Sequence, residues 1–236
     1  YEAPADTGAN NVYDLIVSAS DGIAAATTKA VTVTVTDVAE GLTTSLFGSA
    51  APTGSSLNNE NTEIELGMRF SVSRAGSVAS IKYYRDVADA ADTDVREGHL
   101  WSPSGALLGT VTFTSTAGQS GWQTANFSSP IALVAGQVYT VSYRTADNYV
   151  SAAYYFASYN EVPFDGLDND AFTDVVGIIS AGQSDVDSGG TFDGNGVFAY
   201  GSTLVRPIST WNAANYFVDV VFQWQSGAAP IIIDFG

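Results

Sequence analysis

The sequence predicts an all-β protein: an antiparallel β-sandwich of jelly-roll type, preceded by part of another sandwich. Apolar and polar residues alternate over many short runs, and 23 glycines with numerous Asn, Asp and Ser residues separate these runs. Alternation with a period of two is typical of strands with one buried and one wet face. Short strands joined by frequent turns are typical of sandwiches. We find no helical stripe longer than about two turns.

The first forty residues contain two predicted strands, 13–19 and 30–38, joined by a turn at Asp21 and Gly22. Two strands alone bury too little surface to be stable. We therefore expect that the remaining strands of this unit lie upstream or come from a neighbour.

A new pattern runs from about residue 42 to 224, with its clearest strands at 64–72, 139–144 and 216–224. This length suits one complete sandwich. The predicted organisation is therefore a partial domain over 1–40, a β-sandwich module over 41–225, and a linker or the start of a further segment over 226–236.

The net charge and the amino-acid composition exclude several classes of partner and of chemistry. The 25 acidic and 8 basic residues give a net charge of −17, which argues against nucleic acid and anionic membranes as partners. No apolar run approaches the roughly 18 residues needed for membrane insertion. Cysteine is absent, which excludes disulfides and thiolate chemistry. Aspartates outnumber glutamates 18 to 7, which favours hard-cation sites, calcium, and an extracellular or cell-surface setting.

The opening residues resemble the C-terminal half of a bacterial cadherin-like repeat, an immunoglobulin-like sandwich. The motifs are Tyr1-Glu2, Asn11-Val12-Tyr13-Asp14-Leu15-Ile16-Val17, Ala19-Ser20-Asp21-Gly22 and Val31-Thr32-Val33-Thr34-Val35-Thr36-Asp37-Val38. The resemblance implies a calcium site at the domain junction with Glu2, Asp21 and Asp37 as ligands. Ala39 stands where the linker motif usually has asparagine, so one carbonyl ligand is lost.

Most of the remaining chain resembles a bacterial domain known only as domain of unknown function 4082. The landmarks include Ser45-Leu46-Phe47-Gly48, Glu65-Leu66-Gly67-Met68-Arg69-Phe70, Gly98-His99-Leu100-Trp101-Ser102, Gly121-Trp122-Gln123-Thr124, Asn195-Gly196-Val197-Phe198 and Asn215-Tyr216-Phe217-Val218-Asp219. The resemblance implies a β-sandwich of large secreted or surface proteins. It implies no established activity and no catalytic residues.

Aspartate-rich loops are the predicted calcium ligands within the sandwich. Short loops with carboxylates at alternate positions supply several of the six to eight oxygens that calcium needs. Solvated turns are the alternative for any one loop. The first loop carries Asp86, Asp89, Asp92 and Asp94, and the predicted metal ligands of the other two are Asp165, Asp168, Asp170, Asp185, Asp187 and Asp193.

Aromatic residues are the second candidate feature. Trp101, Trp122 and Trp224 lie within alternating runs and are predicted to be core. Exposed rings stack on the apolar faces of sugars while neighbouring amides and carboxylates bind hydroxyls. A core on a second face, or an interface, is an equal alternative. Aromatic residues are too crowded over 149–159 for all of them to be buried, and Trp211 lies in a loop, so some of these rings are predicted to be exposed. The candidate ligand-binding residues are Trp211, Tyr149, Tyr155, Tyr159 and Asn195.

An enzyme is the weaker hypothesis. His99 is the only histidine, and alternation places it beside Trp101 on one strand face, where a packed or surface role is expected. Two carboxylic acids in a cleft could hydrolyse a glycosidic bond, but with 25 acidic residues in the chain this possibility singles out no site. The sequence thus predicts a calcium-dependent adhesive module that binds a glycan without catalysis. The alternative is a structural spacer or assembly module, which contacts a neighbouring domain or subunit and has no small-molecule ligand.

Overall fold

The computed structural model describes residues 12–34, 42–114, 117–155, 172–173, 179–181 and 195–224. The chain divides into two compact units. One comprises residues 42–225, and the other comprises residues 1–41 together with 226–236. Among the described residues, no helix has the length and apolar character that crossing a membrane requires.

The described part of the smaller unit is an antiparallel hairpin of β1 (Val12–Ala19) and β2 (Thr27–Thr34). The turn forms where the sequence predicts it, because Asp21 Oδ1 accepts the backbone N–H groups of Ile23 at 2.9 Å and Ala24 at 3.0 Å. The second strand begins at Thr27, three residues before its predicted start, and residues 35–38 lie outside the described part.

The larger unit consists of short strands linked by turns. The first eight described strands of this unit are β3 (Leu42–Thr44), β4 (Ser56–Asn58), β5 (Ile64–Val72), β6 (Gly76–Arg85), β7 (Arg96–Trp101), β8 (Leu107–Phe113), β9 (Gly121–Leu133) and β10 (Val138–Thr145). The described strands that follow are β11 (Tyr149–Ser151), β12 (Phe172–Thr173), β13 (Ile179–Ala181), β14 (Gly196–Tyr200) and β15 (Val218–Trp224). A 3₁₀ turn, Val87–Asp89, follows β6.

Two antiparallel sheets carry the core. In the first sheet the order is β8-β7-β10-β5, after which β13 and β14 share the free edge of β5, and β12 pairs with β13. In the second sheet the order is β3-β15-β6-β9, and a separate two-stranded pair joins β4 to β11. Alternate residues such as Leu66, Val141 and Val220 are fully buried between the sheets. The predicted antiparallel β-sandwich is confirmed.

The last strand starts later than its alternation predicts. It begins at Val218 rather than 216, because Phe217 has a φ of +48° and leaves the extended conformation. Asn215 Oδ1 accepts the Phe217 N–H at 2.8 Å, which fixes this local turn. Tyr216 nevertheless joins the core, so the predicted burial is retained without the predicted strand.

The outer face of the first sheet is dry at its centre, contrary to the prediction of one wet face per strand. His99, Trp101 and Ser142 are all buried there. Pro207, from the segment after β14, packs over Gly67, where an added Cβ would lie 3.1 Å from the Pro207 Cγ. The same Cβ would lie only 2.7 Å from the Val141 carbonyl oxygen, so glycine is needed at position 67 mainly for the close approach of β10.

Candidate functional site

Two exposed aromatic rings lie on neighbouring loops at one end of the sandwich. Trp211 is 52% exposed and Tyr154 is 60% exposed. The Tyr154 N–H donates to the Asn212 carbonyl at 2.7 Å, and Ala152 and Asn215 exchange two backbone hydrogen bonds of 3.0 Å. We call Trp211, Tyr154 and the two bonded loops, 152–155 and 209–215, the aromatic platform. The loop position of Trp211 predicted its exposure correctly.

The backbone of this region is strained. Positive φ angles occur at the non-glycine residues Tyr154 (+58°), Asn212 (+48°), Ala213 (+45°) and Phe217 (+48°). Each such residue costs of order 1–3 kcal/mol, and such strain persists only where the surroundings impose it. Here the buried Asn215 side chain and the bonds between the loops impose it. Strain of this kind concentrates at functional sites.

A small aromatic cluster supports the platform from below. Tyr155 contacts Phe217 edge to face, with ring centroids 5.4 Å apart, and contacts Phe47 in the same manner at 6.1 Å. Val150 and Ala152 are buried in the same cluster as Phe217. Tyr155, predicted to bind ligand, is therefore half-buried and anchors the loop that carries Tyr154.

A cleft of about 690 Å³ adjoins this cluster, with Tyr155 and Phe217 in its lining. The 45–53 segment forms another wall, and the partly buried Trp122 closes it. Trp122 Nε1 donates to the Ala50 carbonyl at 2.8 Å, and Phe47 stacks on the indole with centroids 5.9 Å apart. Trp122, predicted to be core, thus lies at the boundary between core and cleft.

A buried ion pair holds the wall of the cleft in place. Lys82 Nζ lies 3.2 Å from Asp219 Oδ2, and both side chains are almost fully buried. Asp219 accepts the backbone N–H groups of Leu46 at 3.0 Å and Phe47 at 2.9 Å. Lys82 donates to Ser45 Oγ at 2.8 Å and lies 4.4 Å from the Trp122 ring centroid. The pair therefore positions the turn from Ser45 to Phe47.

Other predicted ligand-binding residues do not face solvent. The Tyr149 ring is buried, and its hydroxyl donates to Glu60 Oε1 at 2.8 Å, so the prediction that Tyr149 presents a ring is wrong. Desolvation raises the Tyr149 pKa above its usual range. Asn195 is also buried, and its amide has no hydrogen-bond partner among the described residues. Tyr159 lies outside the described residues.

Most predicted calcium ligands lie outside the described part of the chain. Asp21 is described, and its exposed carboxylate accepts the two backbone N–H groups of its own turn. These bonds lower the Asp21 pKa. The predicted ligands outside the described residues are Glu2, Asp37, Asp165, Asp168, Asp170, Asp185, Asp187 and Asp193.

An acidic cluster not predicted as a unit joins the first aspartate-rich loop to the loop after β10. Carboxylate oxygens of Asp92, Asp94 and Asp147 lie within 4.8 Å of one another. The hydrogen bond with Asp94 raises the Asp147 pKa, and desolvation adds to this effect. Asp92 Oδ2 lies 2.8 Å from Arg96 Nη2, and Asp92 Oδ1 accepts the Asp94 N–H. Because Arg96 already neutralises Asp92, these residues fit a calcium ion only in part.

Arginine, rather than a metal, compensates the rest of this loop. Asp89 is buried, with its Oδ2 3.1 Å from Arg96 Nη2 and 3.7 Å from Arg85 Nε. Asp86 caps the 3₁₀ turn by accepting the Ala88 N–H at 2.7 Å. Two buried guanidinium groups, those of Arg85 and Arg96, thus compensate part of the negative charge of this loop.

The single histidine belongs to the interior. His99 is fully buried, with Nδ1 2.8 Å from Glu65 Oε1 and its ring 5.9 Å from that of Trp101, its predicted neighbour. Trp101 Nε1 donates to Ser142 Oγ at 2.8 Å. These contacts tie β5, β7 and β10 together, and they involve an imidazole that is shielded from solvent in this structure.

Comparison with known proteins places the chain by family. No curated protein matches it significantly. The family model described as "Domain of unknown function (DUF4082)" matches residues 49–218, most of the sandwich. The buried Glu65–His99 contact and the exposed platform both lie within the matched region. The chain belongs to the DUF4082 family.

Proposed function

We propose that the sandwich is a non-catalytic glycan-binding module that mediates adhesion for a large secreted or cell-surface bacterial protein. The observation that carries this proposal is the aromatic platform, where Trp211 and Tyr154 are each more than half exposed. Exposed rings of this size offer flat apolar faces that stack on the C–H face of a sugar.

Rigidity favours the same function. The two platform loops are hydrogen-bonded to each other, and Tyr155 anchors one of them through its contacts with Phe217 and Phe47. A platform that is ordered before binding loses little conformational entropy when a ligand arrives. Exposed rings of this kind suit adhesion, because they can contact a glycan chain from one side.

A glycan array tests the proposal. The wild type should bind a glycan, and Trp211→Ala should weaken that binding by about tenfold, the loss expected from one stacking contact. Val134→Ala is the matched control, because Val134 is also exposed but lies before β10 in the chain, whereas both platform loops lie after β10. Failure of the wild type to bind any glycan, with calcium or with chelator, would contradict the proposal.

Calcium dependence is a separate part of the proposal. It is supported by the aspartate-rich composition and by the proximity of Asp94 and Asp147, whose carboxylates a cation would stabilise. A ligand that binds only the folded state raises its melting temperature. The melting temperature should therefore rise on addition of calcium and fall with chelator. An unchanged melting temperature would contradict the proposed calcium dependence.

A second candidate is an assembly module. The segment that leads to Trp211 exposes Leu204, Val205 and Ile208, so the platform continues into an apolar strip. Under this alternative Trp211→Ala would reduce self-association or binding of a neighbouring domain and leave glycans unaffected. Light scattering over a range of concentrations separates the two functions.

A further inference from the structure

We infer that the platform selects uncharged glycans over glycans that carry carboxylate or sulfate groups. This inference rests on the proposed function and specifies its substrate class. It follows from the positions of the basic residues, which an anionic sugar would need as partners. Only 8 basic residues stand against 25 acidic ones in the chain.

Three of the basic residues of the sandwich are committed to its interior. Lys82 pairs with Asp219, and Arg85 and Arg96 surround Asp89. All three cations are almost fully buried. Moving such a charge to the surface would leave a buried carboxylate without its partner, so these cations do not reach a surface ligand.

Two further arginines are occupied at the surface. Arg144 lies 3.0 Å from Glu63 Oε2 and donates to the Gly201 carbonyl at 2.9 Å. Arg206 precedes Trp211 in the chain, but its guanidinium donates to the Pro103 carbonyl at 3.1 Å and lies against Gly105. Its charge is therefore directed to the turn between β7 and β8 rather than to the platform loops.

The remaining basic residues of the sandwich lie elsewhere on the fold. Arg74 is in the turn between β5 and β6, at the end of β5 that pairs with the start of β10. The platform follows the other end of β10. Arg69 is in the middle of β5, and its backbone N–H donates to the Asn195 carbonyl. Neither residue belongs to the platform loops.

The platform is instead bordered by neutral polar groups. Ser209 and Asn212 are exposed, and Thr210 is half-buried, all within the loop that carries Trp211. Hydroxyl and amide groups both donate and accept hydrogen bonds, as sugar hydroxyls require. An anionic sugar would lack a counter-charge here and would approach a chain with a net charge of −17.

Pairs of glycans that share one backbone test the inference. Suitable pairs are desulfated and sulfated galactan, methyl-esterified and free polygalacturonate, and lactosamine without and with sialic acid. The neutral member should bind at least about tenfold more tightly, with little dependence on ionic strength. Tighter binding of the acidic members would overturn the inference and leave the proposed function intact. Binding to no member of any pair, nor to any other glycan of the array, would contradict both.

An engineered charge provides the second measurement. Ser209→Lys adds a cation at the border of the platform, and Ser209→Gln is the matched neutral control. Because the Ser209 side chain is exposed and its backbone pairs with Phe198, both variants should fold. The lysine variant should gain several-fold in affinity for the acidic members alone, and no gain would show that charge does not set the preference.

Discussion

Replacement of Asp219 by asparagine should destabilise the sandwich strongly. The carboxylate is fully buried, lies 3.2 Å from Lys82 Nζ, and accepts backbone N–H groups from Leu46, Phe47 and Val220. Removing one partner of a buried ion pair costs about 3–5 kcal/mol, because the remaining charge stays in the interior. For a domain of this size, 1 kcal/mol shifts the melting temperature by about 2–4 °C. The expected decrease is therefore about 6–20 °C.

Calorimetry of Asp219→Asn, Lys82→Met and the double variant tests this reasoning. The double variant should be less destabilised than the sum of the two single ones by about 1–3 kcal/mol, since it leaves no unpaired charge. Lys82→Met retains most of the side-chain volume, so packing over Trp122 changes little. A melting temperature of Asp219→Asn within about 2 °C of the wild type, or strict additivity, would refute the argument.

Three further predictions concern other parts of the sandwich. Desolvation raises the pKa of Tyr143 above its usual range, so the folded state keeps this proton where the unfolded state loses it. The free energy of unfolding should therefore fall by about 1.4 kcal/mol per pH unit above about pH 10. Tyr143→Phe should remove this contribution to the pH dependence, as measured by urea titrations at several pH values. Asp147→Asn should raise the melting temperature in chelator by at most about 3 °C, because it relieves repulsion from Asp94. It should also reduce any rise in melting temperature that calcium causes. A melting temperature in chelator below that of the wild type would contradict this prediction. Gly196→Ala should prevent native pairing of β14 with β5, because its Cβ would lie only 1.9 Å from the Ala214 carbonyl oxygen; a native near-ultraviolet circular dichroism spectrum would refute this.

The platform shows how far local sequence reasoning extends. The loop position of Trp211 predicted its exposure, but alternation did not distinguish Tyr149 from Tyr154. Tyr149 lies in β11, which pairs with β4, and its hydroxyl reaches Glu60. Tyr154 follows the strand and takes a positive φ that its bond to Asn212 imposes. Both outcomes depend on segments distant in the chain, which a local pattern does not register.

By itself, the sequence determined the class of fold and most strand positions, because a period of two is a local consequence of backbone geometry and needs no knowledge of partners. Only the tertiary structure decided which charges are neutralised and which faces are dry. Asp89 meets Arg85 and Arg96, Asp219 meets Lys82, and the segment around Pro207 covers the outer face of the first sheet. The Lys82–Asp219 pair and the Pro207 contact join residues far apart in the chain, whereas Asp89 lies only four and seven residues from its two arginines. All of these contacts depend on a geometry that exists only once the two sheets and their loops have packed together.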